Sequence, residues 1–507
     1  MFQIRANSNK IAAERSNLGN AITIPFGTGG LNTKDPLPSM PAQDCVICEN
    51  FIVENDRIVS RGGFKNAVNT FVYTDPVESL FEYTGSEATE IISCAGSKIY
   101  IGLVPTQIGT GFSNSRWQGL MMNNYLLLFN GEDTPQKYDG TSLTANVLTG
   151  SSLTATNLVG ATNFKSRLIA WENNACGFWY GAPDAISGAL SFFDLSYITK
   201  RGGYVVACAT WSYDSSGGTG MQARLVIFMS SGEAIVYEGT NPGDAEFWSI
   251  VGRFKVAPPI SQRAFLEYSG DILLVNRYDL ITFSEVFSSG ENPNTQSKLV
   301  GAIKAAVNSY GSNFGWQMIN HPNSGLIIIN VPNSTSQFTQ YVVNTRSGGC
   351  SKFTGMNANC FGIYNNNLYF GGSTKIYQAL SGSDDNGEFI NIDIQTAFSN
   401  LGSNSEKTLN YVKPFLAIDT DTNFNYSINY DFRSSDLATS ELVSTEGNLW
   451  DTFYWDEVYW SAESEIKSVQ YGVSGQGIYV SYRINTSIKN ASVAFYNILY
   501  SFNNNAL

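Results

Sequence analysis

A short unit of apolar strands and polar turns recurs along the middle of this sequence, and it constrains the fold more than any other feature. Each unit has a strand, a turn with Asn, Ser or Gly, a very apolar strand, a second turn, and a strand with Tyr or Phe. The starts of successive units lie 27 to 57 residues apart, which is too irregular for a strict repeat. The units are GSKIYIG (96–102), NNYLLLFNGEDTPQKYDG (123–140), KSRLIAWENNACGFWYG (165–181), QARLVIFMSSGEAIVYEG (222–239), SGDILLVNRYDLITFSEV (269–286), NSGLIIINVPN (323–333) and NNNLYFGGSTKIYQAL (365–380).

Most of these distances suit one blade of a β-propeller, which takes about 40–50 residues for four strands. Runs such as LLLF (126–129) and IIIN (327–330) are so apolar that both faces of the strand must be buried. Blades packed face to face bury both faces of a small antiparallel sheet. We therefore predict an all-β chain with a β-propeller of about six blades over residues 76–382. A stack of sandwiches or a β-helix remains an alternative.

The composition changes at SGSDDNGEF (381–389), which we interpret as a polar linker. Beyond it, long runs such as NFNYSINYDF alternate apolar and polar residues, which is typical of an antiparallel sheet with one wet face. We therefore predict a C-terminal antiparallel β-sandwich domain over residues 383–507. One short helix is expected within 294–311, inserted between blades, either to cover a blade edge or to contact another subunit. Its apolar residues at helical spacing are Leu299, Val300, Ile303 and Val307.

The first 75 residues show no core of their own. Residues 1–25 are polar and predict an N-terminal arm that another protein must order. Residues 26–75 are rich in turns and predict a β region that contacts the propeller or a neighbouring protein. Neither a signal-peptide core nor a run of 18 apolar residues is found, so we expect synthesis in a host cytoplasm.

The residue inventory argues against several kinds of chemistry. His321 is the only histidine, which removes multi-histidine metal sites and most Ser-His-Asp or Cys-His catalysis. Cys45 and Cys48 have CxxC spacing, but no second pair lies at metal-binding spacing, so we expect the seven cysteines to be reduced and structural. The acidic balance, 30 basic against 43 acidic residues, opposes a nucleic-acid clamp. We predict no enzyme activity, no catalytic residue, no metal and no cofactor.

A segment with three tryptophans, LWDTFYWDEVYW (449–460), combines aromatic rings with carboxylates. The tryptophans are five residues apart, which fits neither a strand face nor a helix stripe. We interpret the segment as an aromatic loop that packs against another domain or subunit, with sugar binding by stacking as the alternative. The candidate interaction residues are Trp450, Asp451, Trp455, Asp456 and Trp460.

Three short motifs near the N-terminus resemble the opening of tail proteins from short-tailed bacteriophages. In that family a "GGLN–DP" turn leads to an "N-aromatic" pair and then to an "R-x-G-aromatic" strand end. The run Tyr411 to Phe432 and the Trp-Asp cluster are also similar to what such proteins carry. The matching residues are Gly29, Gly30, Leu31, Asn32, Asp35, Pro36, Asn50, Phe51, Arg61, Gly63 and Phe64.

The resemblance implies a tail nozzle protein: a propeller with a sandwich platform, assembled as a ring of usually six copies below the portal and adaptor. It implies adaptor or portal-side tail proteins, tail fibre or plug proteins, and copies of the same chain as partners, with genomic DNA passing through the ring without tight binding. The location implied is the virion tail, and the role is in DNA retention and ejection. The family's motifs are structural, so no catalytic residue is implied.

The composition agrees with this role, because an acidic or neutral polar wall repels phosphates and lets a duplex slide. Ordinary solubility would explain the formal charge of −13 equally well. The alternative function is a carbohydrate-binding receptor-recognition or depolymerase tail protein, acting through residues 450–460 or a propeller face. A six-fold ring would favour the nozzle, and a trimer the receptor binder.

Overall fold

The chain was analysed as a computed structural model that describes residues 20–86, 88–214, 221–291, 297–435, 437–443 and 466–505. Strands dominate it, so the predicted all-β class is confirmed. Short strands and a 3₁₀ turn (Leu37–Ser39) open the described chain. The strands are β1 (Asn20–Pro25), β2 (Gly30–Leu31), β3 (Asp44–Glu49), β4 (Phe51–Val53), β5 (Ile58–Ser60) and β6 (Phe64–Asn66).

Three four-stranded antiparallel blades follow. Blade 1 contains β7 (Val77–Thr84), β8 (Thr89–Ala95), β9 (Lys98–Ile101) and β10 (Thr106–Thr110). Blade 2 contains β11 (Gln118–Met122), β12 (Tyr125–Phe129), β13 (Gln136–Tyr138) and β14 (Leu143–Ala145). A small parallel pair comes next, from β15 (Leu148–Thr149) and, after a 3₁₀ turn at Ala155–Asn157, β19 (Gly188–Ala189). Blade 3 contains β16 (Leu158–Phe164), β17 (Arg167–Glu172), β18 (Gly177–Pro183) and β20 (Ser191–Asp194).

The second half of the ring is less regular. Blade 4 contains β21 (Val205–Asp214), β22 (Met221–Met229), β23 (Glu233–Gly239) and β24 (Trp248–Lys255). Blade 5 has only β25 (Phe265–Tyr268), β26 (Asp271–Val275) and β27 (Leu280–Thr282), followed by the helices α1 (Phe283–Ser289) and α2 (Val300–Tyr310). Next come β28 (Gln317–His321), β29 (Leu326–Pro332), β30 (Phe338–Asn344) and β31 (Cys350–Phe353). Blade 6 contains β32 (Cys360–Tyr364), β33 (Asn367–Gly371) and β34 (Ile376–Ala379).

The predicted propeller of about six blades is confirmed. Six sheets of three or four strands form the six blades, and β28, the end strand of the ten-stranded sheet, contacts β25 of blade 5 and β32 of blade 6. The ring closes through β6, which pairs antiparallel with β34, so that Phe64 lies opposite Ala379. A strand from before blade 1 therefore completes the last blade, and the closure is made by hydrogen bonds between distant parts of the chain.

The apolar strands are buried on both faces, as their sequences predicted. In β12, Leu126 and Leu128 lie in the core shared with blade 1, whereas Leu127 and Phe129 lie in the core shared with blade 3. Each core is thus built between successive blades, and a strand with polar residues on one face could not occupy this position.

Two large sheets stand beside the propeller. The C-terminal strands are β35 (Ile390–Thr396), β36 (Lys407–Ile418), β37 (Thr422–Tyr430), β38 (Ala438–Val443), β39 (Lys467–Ser468), β40 (Tyr471–Gly472), β41 (Gln476–Gly477), β42 (Val480–Ile488) and β43 (Val493–Asn504). One sheet has ten strands in the order β28-β29-β30-β31-β2-β3-β35-β42-β37-β38. The other has eight: β39-β36-β43-β5-β4, with β1 on β43, and β40 and β41 on β36.

The two large sheets share one hydrophobic core. Phe495 of the eight-stranded sheet packs on Phe424 of the ten-stranded sheet and stacks on Phe26, with ring centroids 4.7 Å apart. Strands from residues 20–60 belong to both sheets, so the segment 383–507, which we predicted as a sandwich domain, does not form these sheets alone. The three boundaries between the four predicted segments stay predictions.

Both helices pack on buried surfaces. α2 lies inside the predicted 294–311 segment and buries Ile303, Ala306 and Val307 in the core of the large sheets, which also includes residues of blade 5 such as Val275. α1 was not predicted, because its short sequence continues the apolar texture of blade 5. Phe283 and Val286, one turn apart, pack into that blade's core, and the helix ends at Gly290 with φ +80°.

Candidate functional site

The second and third motifs of the N-terminal region meet in one buried hydrogen-bond network. The Asn50 side chain accepts a hydrogen bond from the Nε of Arg61 at 2.8 Å and donates one to the Asn391 carbonyl at 2.7 Å. It also accepts from the Thr354 backbone N–H at 2.8 Å. Asn50 has a φ of +62°, which asparagine tolerates better than most residues. The network joins β4 and β5 to the ten-stranded sheet.

Arg61 is the centre of this network. Its two terminal nitrogens donate to the two carboxylate oxygens of Asp385 at 2.8 and 2.7 Å, a bidentate ion pair. The Arg61 side chain is 0% exposed and the Asp385 side chain 8%. Hydrogen bonds to the carbonyls of Gly62 and Thr354 use the remaining N–H groups. The guanidinium is therefore fully satisfied by protein groups.

The segment 381–389, which we interpreted as a polar linker, is tied to this network. The Gly63 N–H donates to the Gly382 carbonyl, and the Phe64 N–H donates to the Asp384 carbonyl. A Cβ on Gly63 would lie 1.7 Å from the Asp384 oxygen, so the motif requires glycine there. The linker interpretation missed this because the partners are more than 300 residues apart in sequence. The segment is a junction between propeller and sheets.

The first motif forms a compact turn beside α2. Asn32 accepts from the Asp35 backbone N–H at 3.1 Å and donates to the Asp44 carboxylate at 2.7 Å. Lys298 donates to the same carboxylate at 2.9 Å and to the Gly29 carbonyl at 2.8 Å. Gly30 has a φ of +75°, and a Cβ there would lie 2.5 Å from backbone atoms of β31.

Three of the remaining motif residues pack in hydrophobic cores. Leu31 and Phe51 are buried in the core of the large sheets, and Phe64 packs edge-on against Phe370 and Tyr377 of blade 6. Pro36 precedes the 3₁₀ turn at Leu37–Ser39. Ten of the eleven motif residues are thus at least partly buried, and Pro36 is exposed. The second set of sequence-predicted residues, Trp450, Asp451, Trp455, Asp456 and Trp460, lies outside the described residues.

The inner strands of the blades enclose small cavities on the propeller axis, of about 330 and 160 Å³. Arg263 lines the larger one and donates to the Glu78 carbonyl at 2.8 Å and to Ser79 Oγ at 2.7 Å. Burial lowers the pKa of this guanidinium. In the smaller cavity, burial raises the pKa of Glu267, whose carboxylate accepts from the Thr210 N–H at 2.6 Å. Arg263, which precedes blade 5, thus binds Glu78 and Ser79 of blade 1, and Glu267 of blade 5 binds Thr210 of blade 4, so both groups hold blades together.

The reactive residue types noted in the sequence lie in structural surroundings. Cys45 and Cys48 are buried in β3, where a hydrogen bond with Cys45 and burial raise the pKa of the Cys48 thiol well above its usual value. His321 is buried, with Nδ1 2.8 Å from Ser324 Oγ and Nε2 3.0 Å from the Asn366 carbonyl. Because a carbonyl oxygen only accepts hydrogen bonds, Nε2 donates to Asn366. Within the described residues, no three His, Cys, Asp or Glu side chains are grouped as a metal site.

An exposed apolar surface spans the outer strands of blades 3 and 4. Tyr197 is 90% exposed, Phe247 56% and Ile250 44%. Tyr197 and Ile250 line a shallow cavity of about 520 Å³, together with Trp248. Contiguous exposed aromatic and aliphatic groups of this kind are typical of protein interfaces.

Comparison with known proteins adds little to this geometry. No protein-family model and no curated protein matches the sequence. Within the described residues, neither helix has the length and apolarity needed to cross a membrane.

Three solved structures share part of the arrangement at low similarity. Raptor from Chaetomium thermophilum has a TM-score of 0.38 and 10% identity, covering 63% of this chain and 29% of that one. YCF48 from Cyanidioschyzon merolae has a TM-score of 0.37 and 9% identity, covering 62% and 98%. An exo-beta-1,3-galactanase from Phanerochaete chrysosporium has a TM-score of 0.24 and 10% identity, covering 76% and 95%. At these scores no functional argument follows from any of them.

Proposed function

We propose that this chain is a structural subunit of the tail of a short-tailed bacteriophage. In this role, copies of the chain assemble as a ring, a nozzle, below the portal and adaptor. The ring extends the channel through which the genome leaves the particle. In this proposal the subunit catalyses no reaction. Its role is to form a rigid wall of the channel through which DNA passes.

The observation that carries the proposal is the position of the motifs that resemble this family. The motif residues are not scattered on the surface: Asn50 and Arg61 hold the junction at Asp385, and Asn32 holds the turn at Asp44. Proteins that share an architecture are expected to share the residues that join its parts. Here those residues join the sheets to the propeller. A match on such residues supports a shared architecture.

The exposed apolar surface supports assembly with other copies. Tyr197 and Ile250 line the same shallow cavity, and the exposed Phe247 precedes Trp248 of its wall. A ring requires a heterologous contact, in which this surface meets a different surface of the next copy. Among the described strands, β38 is at the end of the ten-stranded sheet, and its outer edge is the second surface that we propose.

The charge distribution supports passage of DNA without retention. Two arginines of blade 4 bind protein groups: Arg224 pairs with Glu238 at 3.4 Å, and Arg253 donates to the Ile198 carbonyl. A formal charge of −13 per copy repels phosphates further. We expect the assembled protein to bind duplex DNA weakly even at low salt, with a shallow salt dependence.

The test is the oligomeric state of two variants by sedimentation velocity. Tyr197→Asp and Ile250→Asp each place a carboxylate on the exposed surface and should shift the protein from ring to monomer. Val104→Asp makes the same kind of change at a residue that is 67% exposed in another blade and should leave the ring intact. A wild-type protein that stays monomeric at high concentration, or that forms trimers, would contradict the nozzle proposal.

A further inference from the structure

One cavity in this acidic protein is lined by unpaired cations. It has a volume of about 620 Å³ and lies where turns of blades 4 and 5 meet. Arg201, Lys255 and Arg277 line it, against a single carboxylate, Glu291. None of the three cations is in an ion pair within the part of the chain that the structure describes. We propose that this cavity binds an acidic oligosaccharide.

Two of the three cations come from turns that are held in place, and Lys255 is the last residue of β24. The turn before Arg201 is fixed by the buried Glu233, which accepts from Thr199 Oγ1 at 2.6 Å and from the Lys200 N–H at 3.1 Å. The turn that carries Arg277 is fixed by Asn276, whose side-chain oxygen accepts from the Tyr278 N–H at 2.8 Å. The cavity is therefore preformed, and a ligand would not have to order these turns.

The other lining groups suit sugar rings. Tyr204 is 40% exposed and Tyr278 52% exposed, so both rings offer flat apolar faces to a ligand. Ser230 and Ser231 add hydroxyl groups to the wall, and Ser231 Oγ is buried with no hydrogen-bond partner among the described residues. Aromatic faces next to hydroxyls and cations match a ligand with apolar ring faces, hydroxyl groups and acid groups.

The same observations disfavour two other polyanions. Tight binding of duplex DNA needs many phosphate contacts, and three cations supply few. Peptide recognition commonly uses an open strand edge or an extended groove, whereas this cavity is walled mainly by turns. Its volume lies within the range of about 300–1,000 Å³ that is usual for small-ligand sites.

Calorimetry on the full chain tests the assignment, with a panel of acidic trisaccharides: trigalacturonate, α2,8-linked trisialic acid and a heparin trisaccharide. The fully methyl-esterified trigalacturonate is the uncharged counterpart of the first. We expect at least one acidic trisaccharide to bind, the affinity to fall with salt, and the methyl ester to bind much more weakly. Arg277→Gln and Lys255→Gln should each weaken binding about tenfold, because each removes one charge-assisted contact.

Two further variants complete the design. Tyr278→Ala should weaken binding by a similar factor through loss of stacking, whereas Lys65→Gln, an exposed lysine on β6, should leave it unchanged. The assignment is overturned if no acidic trisaccharide binds, if the methyl ester binds as well as the acid, or if Lys65→Gln weakens binding as much as Arg277→Gln. Binding of duplex DNA or a poly-glutamate peptide at lower concentration than every sugar would equally overturn it. The assignment does not depend on ring formation, so it stands or falls separately from the proposed function.

Discussion

Replacing Arg61 by methionine should destabilise the protein far more than replacing an ordinary surface arginine. All five N–H groups of Arg61 donate hydrogen bonds, two of them to Asp385. Arg61→Met leaves that carboxylate buried without its partner. Removal of one partner from a buried pair costs about 3–5 kcal/mol. We therefore expect the free energy of unfolding to fall by about this amount.

The measurement is urea unfolding followed by fluorescence, with a double-mutant cycle. Arg57→Met is the matched control, because Arg57 and Glu54 form an ion pair whose side chains are 37% and 38% exposed. It should cost less than about 1 kcal/mol. Adding Asp385→Leu to Arg61→Met should restore part of the lost stability, because the unpaired charge is removed.

Proteolysis gives a second readout of the same prediction. The wild-type junction at 381–389 should resist limited digestion, because Gly382 and Asp384 accept hydrogen bonds from the β6 region. Arg61→Met should expose it to cleavage. A loss of stability no larger than that of Arg57→Met, with no new cleavage, would refute the claim that this network joins propeller and sheets.

Three further outcomes are expected. Gly30→Ala should destabilise the protein by at least about 1 kcal/mol, because its φ is +75° and the added Cβ would meet the backbone of β31. Gly472→Ala is the control: the space around Gly472 is open, so this variant should be near neutral in the same unfolding assay. In mildly alkaline buffer, thiol titration of the native protein should modify at most Cys176, the one half-buried cysteine, and slowly, because burial raises its pKa; rapid reaction of several thiols would contradict the buried placements. Burial raises the pKa of Tyr237 and of Tyr430 to about 12 from an ordinary 10, so their contribution to stability should be complete below pH 10 and lost as the pH rises to about 12. Ultraviolet absorbance of tyrosinate should follow that transition, and normal titration near pH 10 in the folded protein would show that these rings are not buried.

The local sequence pattern predicted where strands lie better than it predicted which strands pair with each other. The run LLLF (126–129) is enough to predict a strand buried on both faces, and Leu127 and Leu128 indeed face different cores. The pairing of β6 with β34, in contrast, joins residues more than 300 positions apart, and no feature of FKN in the sequence specifies it. Hydrophobic periodicity carries information about a strand's faces and none about its neighbours.

For the candidate sites as well, the sequence predicted local motifs but not their partners at distant positions. The motif that contains Arg61 was recognised, but Asp385 was assigned to a linker, because a run of Asp, Asn and Gly is typical of exposed turns. Arg201, Lys255 and Arg277 are isolated in the sequence, and only the packing of blades 4 and 5 brings them to one cavity. A sequence signal could not have found that cavity, since no short segment contains more than one of its cations.

The proposed nozzle function requires that copies of this chain form a ring around an open channel. Electron microscopy of the purified protein, with class averages viewed along the symmetry axis, tests it most directly. The nozzle proposal predicts six-fold rings with a central opening wide enough for duplex DNA. The surface of Tyr197 and Ile250 should be buried between neighbouring copies of the chain. Monomers, trimers, or rings whose centre is closed by protein would contradict it.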